Sequence, residues 1–239
     1  MKTEKSSPHT AHDPTWKQKF PNLDIHRRQT NDDNSDKMLE IKEKSEIIVP
    51  FQKIGDAQWS EKTEYIITEF ADNWNNKPKV PISQEAIEAL EKKLQTELPI
   101  PLKLFYAKFG IAKIGEQLQG LNEMGWVGDI WKDAPQYGPD FSKEDKEVLP
   151  FLVSFSDYLG NGNMFCFHSK THEIYYFDHD TKPYISKLFS NASDYLKGCL
   201  ISCQSDLFHP ETGQEKVEAW CEEILNELFG EAVIRKWKY

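Results

Sequence analysis

The sequence predicts an α+β fold, a mostly antiparallel sheet flanked by helices and preceded by a disordered N-terminal arm. Three observations carry that reading. Apolar residues recur at helical spacing between residues 60 and 109, strand-like runs fill 148–178, and helical spacing returns from 193 to 230. Such an order argues against alternating βαβ units. The strand-like block reads as a hairpin whose two faces are both apolar. Residues 1–45 hold only Trp16 and Phe20 as aromatics among many Asn, Asp, Lys, Ser and Thr. Ordering such a segment costs roughly 1–2 kcal/mol per residue, more than its apolar surface can offset. The expected organisation is therefore a flexible polar arm over 1–45 and a single domain over 46–239.

Each element has its own warrant. Ile47-Ile48-Val49, stopped by Pro50, reads as a short strand. Tyr65, Ile66, Ile67, Phe70, Ala71 and Trp74 mark a helix with Ser60 as its N-cap, ended by Asn75, Asn76 and Pro78. Ser83 caps the next helix, with Ile82 and Ile87 placed as a hydrophobic staple and Ile87, Leu90, Leu94 and Leu98 as its stripe. A helix over 102–109 presents Leu102, Phe105, Tyr106 and Phe109 on one side, with Gly110 as its cap. Glycines and prolines between 111 and 147 predict loops around short strands, and residues 126–131 alternate as one such strand.

Residues 148–155, 163–168 and 172–178 predict three further strands. Taking Lys170-Thr171 as a two-residue loop pairs His168 with Glu173, Phe167 with Ile174, Cys166 with Tyr175, Phe165 with Tyr176, and Met164 with Phe177. Opposed residues share a face. Phe165, Phe167, Ile174 and Tyr176 then lie on one face, and Met164, Cys166, Tyr175 and Phe177 on the other. Such a hairpin is covered on both sides or lines a groove. Two helices follow. One carries Leu196, Cys199, Leu200 and Cys203, and the other starts at a Thr212/Glu215 capping box and runs to Gly230. The tail 235–239 is basic and aromatic.

Composition narrows the function. The formal charge is −10, and its distribution is uneven: nine Lys or Arg against eight Asp or Glu before residue 46, then 20 against 31. An acidic folded part disfavours nucleic acid, which demands a basic footprint, and suits a basic protein partner. No apolar run approaches the ~18 residues of a membrane span, and no secretory segment follows Met1. Cys166, Cys199, Cys203 and Cys221 form no disulfide framework, which fits reduced thiols in a cytoplasmic protein.

The order of motifs resembles the SUKH superfamily, the fold of fungal cell-wall-assembly regulators and of many bacterial immunity proteins. The resemblance covers roughly residues 80–200. It rests on the stripe of 82–98, the Leu98-Pro99 junction, and the Leu-Phe-Tyr helix closing at Phe109-Gly110. Further on come the Gly160-Asn161-Gly162-Asn163 step before Phe165, Ile174-Tyr175-Tyr176-Phe177 ending in Asp178-His179-Asp180, and the 189–196 segment opening the following helix. Asn161 and Asn163 stand where aspartate is common in the family. The resemblance implies a protein-binding module, most often a cytoplasmic immunity protein against a cognate toxin.

No nucleophile motif, phosphate loop or closed metal-ligand set accompanies these elements, so no catalytic residue, cofactor or metal is expected. His168 and His172 do not converge in the hairpin register, whereas zinc needs about four convergent ligands. The expected partner surface comprises Trp126, Asp129, Trp131, Asp157, Asp178 and Asp180, an acidic and aromatic set suited to a toxin's basic active site. Two alternatives remain: an intracellular scaffold of the cell-wall-regulator type, and a small metal-dependent hydrolase built on Asp178, His179 and Asp180.

Overall fold

The computed structural model describes residues 39–56, 58–74, 80–132, 140–157 and 162–238, with only the backbone given for Trp131 and Lys238. The expected arm up to residue 38 and most of the 160–162 turn lie outside the described residues. Among the described residues there are seven α-helices and one six-stranded antiparallel sheet.

Helix α1 (Trp59–Asn73) buries Ile66, Ile67 and Phe70. It begins ahead of the expected cap: Gln58 takes the N-cap position, and Ser60 lies inside the first turn. Helix α2 (Gln84–Leu94) is capped as its sequence predicts, with Ser83 Oγ accepting from the Ala86 N–H at 3.3 Å. Gln95, at φ 56°, ends it. Helix α3 (Ile100–Phe109) starts two residues earlier than predicted. Pro101 is tolerated there because a first-turn residue has no N–H partner to lose.

Strands β1 (Gln117–Leu118) and β2 (Gly125–Trp126) both pair with β3 (Leu152–Asp157), which α4 (Lys143–Val148) precedes. The six-residue strand predicted at 126–131 is thus a correction. After Trp126 the chain forms a 3-10 turn over Val127–Trp131. The partner runs out: Trp126 faces Val153, and Leu152 is the first residue of β3.

Strands β4 (Met164–His168), β5 (Ile174–Phe177) and β6 (Ile185–Phe189) complete the sheet, in the order β1-β3-β4-β5-β6. Pairing of β4 with β5 follows the predicted register from Met164↔Phe177 to Phe167↔Ile174. The His168 N–H donates to the Glu173 carbonyl at 2.9 Å, and the His172 N–H closes the turn onto the His168 carbonyl at 2.8 Å.

Helix α5 (Ala192–Ser202) is capped by Asn191 Oδ1 on the Asp194 N–H. Helix α6 (Gln214–Phe229) begins after the predicted Thr212 cap, which is a second correction. Gly213 holds the N-cap position, while Thr212 Oγ1 donates to the Lys42 carbonyl. Gly230, at φ 87°, turns the chain into α7 (Glu231–Lys238). The tail is therefore helical, and its Trp237 is buried rather than offered to a membrane or partner.

The sheet separates two apolar clusters. The larger joins Phe165, Phe167 and Ile174 to side chains of α1, α2, α3, α5, α6 and α7. The smaller holds Val127, Leu152, Cys166 and Phe177, with Phe141, Val148, Leu149 and Tyr184 packed against it. Packing already includes Ile41, ahead of the boundary expected at 46. Its N–H donates to the Leu207 carbonyl and its carbonyl accepts from the His209 N–H. Residues 47–49 form no strand. Instead the buried Gln204 amide accepts from the Ile48 N–H at 2.8 Å and donates to the Ile48 carbonyl at 2.9 Å, satisfying the backbone as a strand partner would.

Candidate interaction surface

Antiparallel pairing gathers three of the predicted residues at one end of the sheet. Asp157 ends β3 opposite Met164, the first residue of β4, and Met164 pairs with Phe177, which precedes Asp178. Asp178 is held by the turn it makes: its Oδ1 accepts from the N–H groups of Asp180 (2.9 Å) and Thr181 (3.2 Å). That turn projects Asp180, whose side chain is 72 % exposed, toward solvent.

His179 lies between the two aspartates and is anchored beneath them. The buried Asn163 places its Oδ1 3.0 Å from the His179 backbone N–H and 2.7 Å from Nδ1, so that ring nitrogen carries the donated proton. Nε2 faces Asp180 Oδ1 at 3.3 Å, an ion pair when the imidazole is protonated. Gly162, at φ 90°, passes close to the same ring, and a Cβ there would lie 3.4 Å from His179 Cε1. Both ring nitrogens are thus engaged. Among the described residues no group of three or more His, Cys, Asp or Glu side chains could hold a metal ion.

The other three predicted residues sit elsewhere. Trp126 pairs with Val153 toward the opposite end of β3, about 13 Å from Asp157 at ~3.3 Å per residue, and Asp129 follows in the 3-10 turn. Trp126 is half-buried and packs against the larger cluster. Asp129 is exposed and ion-paired with Lys132. The Trp131 side chain lies outside the described residues. The structure therefore brings together Asp157, Asp178 and Asp180, and leaves Trp126 and Asp129 apart from them.

Between the two ends, the described residues roof part of the outer sheet face and leave another part half-buried. The roof is α4 with its flanks, tied down by the buried Asp145. Asp145 Oδ2 accepts from the Ser142 N–H and Oδ1 from the Ile185 N–H of β6, both at 3.1 Å. Beyond the roof, Phe151, His168 and Tyr175 form a row of half-exposed rings, with centroids 5.1 Å and then 6.0 Å apart. Lys170 Nζ stands 4.0 Å from the Phe151 ring centre, and Lys187 pairs with Glu173 beside Tyr175. Burial holds the His168 imidazole below its ordinary pKa, with the Glu173 charge opposing. The Lys187 bond holds the Glu173 carboxyl down, and burial pushes the Tyr175 phenol up.

This row was missed in sequence, although the hairpin register already placed Tyr175 on the outer face. What sequence could not show is which part of that face Val127, Phe141, Val148 and Leu149 cover. The four cysteines are buried and none is in a disulfide, and burial raises the thiols of Cys166, Cys199 and Cys203. No helix among the described residues is long and apolar enough to cross a membrane.

Residues 81–198 match the model of the SMI1 / KNR4 family (SUKH-1), so this part of the chain is a SUKH-superfamily domain. It spans α2, α3, the whole sheet, α4 and α5 as far as Gly198, while α1, α6 and α7 pack onto the same core from outside the match. Proteins of this family are generally non-enzymatic. No curated protein matches the sequence.

Proposed function

We propose that this SUKH domain is an immunity protein that binds a cognate toxin in the cytoplasm and occludes its basic active site. One observation carries the reading: Asp157, Asp178 and Asp180 meet at one end of the sheet, with Asp178 locked by backbone N–H groups and Asp180 projected into solvent. A carboxylate held before binding loses little entropy on contact with a cation. The acidic surplus of residues 46–239 adds long-range steering toward a basic site. An ordinary interface covers about 800 Å² per partner. That is wide enough for a toxin centred on the aspartates to reach Trp126, Asp129 and Trp131 as flanking contacts.

The test is titration of a candidate toxin encoded beside this gene with the intact protein, at two salt concentrations. Asp178→Lys with Asp180→Lys is expected to weaken binding about tenfold or more and to abolish protection in co-expression. Unchanged protection removes the acidic end from the interface. The family also includes regulators of cell-wall assembly. Failure to bind that toxin, with retention of an endogenous partner lost on the same reversal, would transfer the surface to a scaffold role.

A further inference from the structure

The half-buried part of the outer sheet face differs in chemistry from the acidic end and is independent of the reading given for it. We propose that Phe151, His168 and Tyr175, flanked by Lys170 and Lys187, form a docking platform for an acidic, aromatic-bearing segment of a protein partner.

The geometry gives each group a task. His168 Nδ1 accepts from the N–H groups of Lys170 (3.3 Å) and Thr171 (3.2 Å), which fixes the ring's tilt and leaves its own proton on Nε2. The ring is tilted 37° to Tyr175 and 36° to Phe151, with centroids 6.0 Å and 5.1 Å away, so the three overlap as a short offset stack. The half-buried end of such a stack accepts a further flat side chain against it. Lys170 and Lys187 stand at opposite ends of the row. Lys187, with half of its side chain exposed, spends one contact on Glu173 and keeps further N–H donors. A segment with carboxylates at both ends and a planar residue between them complements this pattern.

Rings beside cations also suit single-stranded nucleic acid. Two observations favour protein instead. The platform carries only two lysines, one of them already paired with Glu173. The surrounding chain is strongly acidic and repels a polyanion while tolerating a short acidic segment.

The experiment uses the full chain, isotope-labelled, titrated with a capped Asp-Trp-Glu-Trp-Asp peptide, its Lys-for-acid counterpart and a short oligothymidylate. Saturable shifts at His168, Tyr175 and Lys187 are expected with the acidic peptide. Lys170→Glu should weaken its binding about fivefold or more. Tyr175→Ala should do the same and Tyr175→Phe should not, with thermal unfolding confirming that each variant folds. Asp178→Lys with Asp180→Lys should leave this binding in place, which separates the platform from the toxin-facing end. Equal or tighter binding of the basic peptide or the oligonucleotide overturns the proposal. So does a failure of the acidic peptide to shift these residues.

Discussion

The two faces of the β4–β5 hairpin have nearly the same composition and opposite fates. On the inner face Phe165, Phe167 and Ile174 are fully buried and Tyr176 is 9 % exposed, under side chains from six helices. On the outer face Cys166 and Phe177 are equally buried, yet Met164 and Tyr175 remain half-open beside a roof made of one short helix and its flanks. Apolar residues on a strand state that burial is favourable, but not how much cover exists. The inner face works as core, and the outer face is divided between core and contact surface.

Truncating Phe167 to Ala tests the inner side most severely. The ring is fully buried and lies 6.3 Å from Phe155, so its removal should cost about 3–5 kcal/mol in urea unfolding. A loss under about 1 kcal/mol would mean that the larger cluster is loosely packed, and the contrast between the faces would fail. Adding one methyl group tests the same side from its far boundary. A Cβ on Gly198 would lie 3.0 Å from Trp237 Cζ3, in a ring that also meets Phe189 edge-on and donates through Nε1 to Glu116. Gly198→Ala should therefore destabilise by about 1–3 kcal/mol, and Trp237→Leu in the same chain should recover part of that loss. A wild-type unfolding midpoint for Gly198→Ala would show that α7 docks without load on this contact.

Much of this architecture was legible. The stripe of Ile87, Leu90 and Leu94, the Ser83 cap and the hairpin register follow from local rules and the structure keeps them, whereas Leu98, expected on the same helix, is buried beyond its end at Leu94. The failures share a cause, because each depended on a distant partner. Residues 126–131 alternate like a strand, but β3 ends too early to pair with them. Thr212 has the sequence of a cap, yet its hydroxyl reaches the Lys42 carbonyl instead. Residues 47–49 look like a strand and are satisfied by the Gln204 side chain. For the site, the acidic end of β5 was readable as a strand terminus. Its meeting with Asp157 needed the strand order, and the separation of Trp126 and Asp129 needed the point where β2 stops.

On the outer side the expected effects are smaller. Asp145 joins the N-terminus of α4 to the N–H of Ile185, so Asp145→Ala leaves a part-buried strand donor without this acceptor and removes a cap. A cost of about 1–3 kcal/mol should follow, with faster amide exchange at Ile185 than elsewhere in β6. Unaltered exchange at Ile185 would show that the roof does not depend on this tie. Tyr175→Ala, by contrast, should cost only about 1 kcal/mol, since the ring it removes is half-exposed.

Acid gives the finest separation of the two faces, because the inner face presents rings and aliphatic chains while the outer platform presents His168 and Glu173. Burial lowers the His168 pKa in the folded protein. The unfolded chain therefore binds a proton more readily, and stability drops as pH falls below about 6.5. The bond from Lys187 lowers the Glu173 pKa in the same sense, so a second loss begins below about 4.5 and continues through the depressed folded value. Both contributions are present at neutral pH and are lost in acid. His168→Phe should flatten the unfolding free energy between pH 7 and pH 5 while leaving the lower limb. Lys187→Gln should soften the lower limb and spare the upper one. If neither variant changes its own limb, the platform groups titrate as they do in the unfolded chain, and the outer face is more open than its ring row implies.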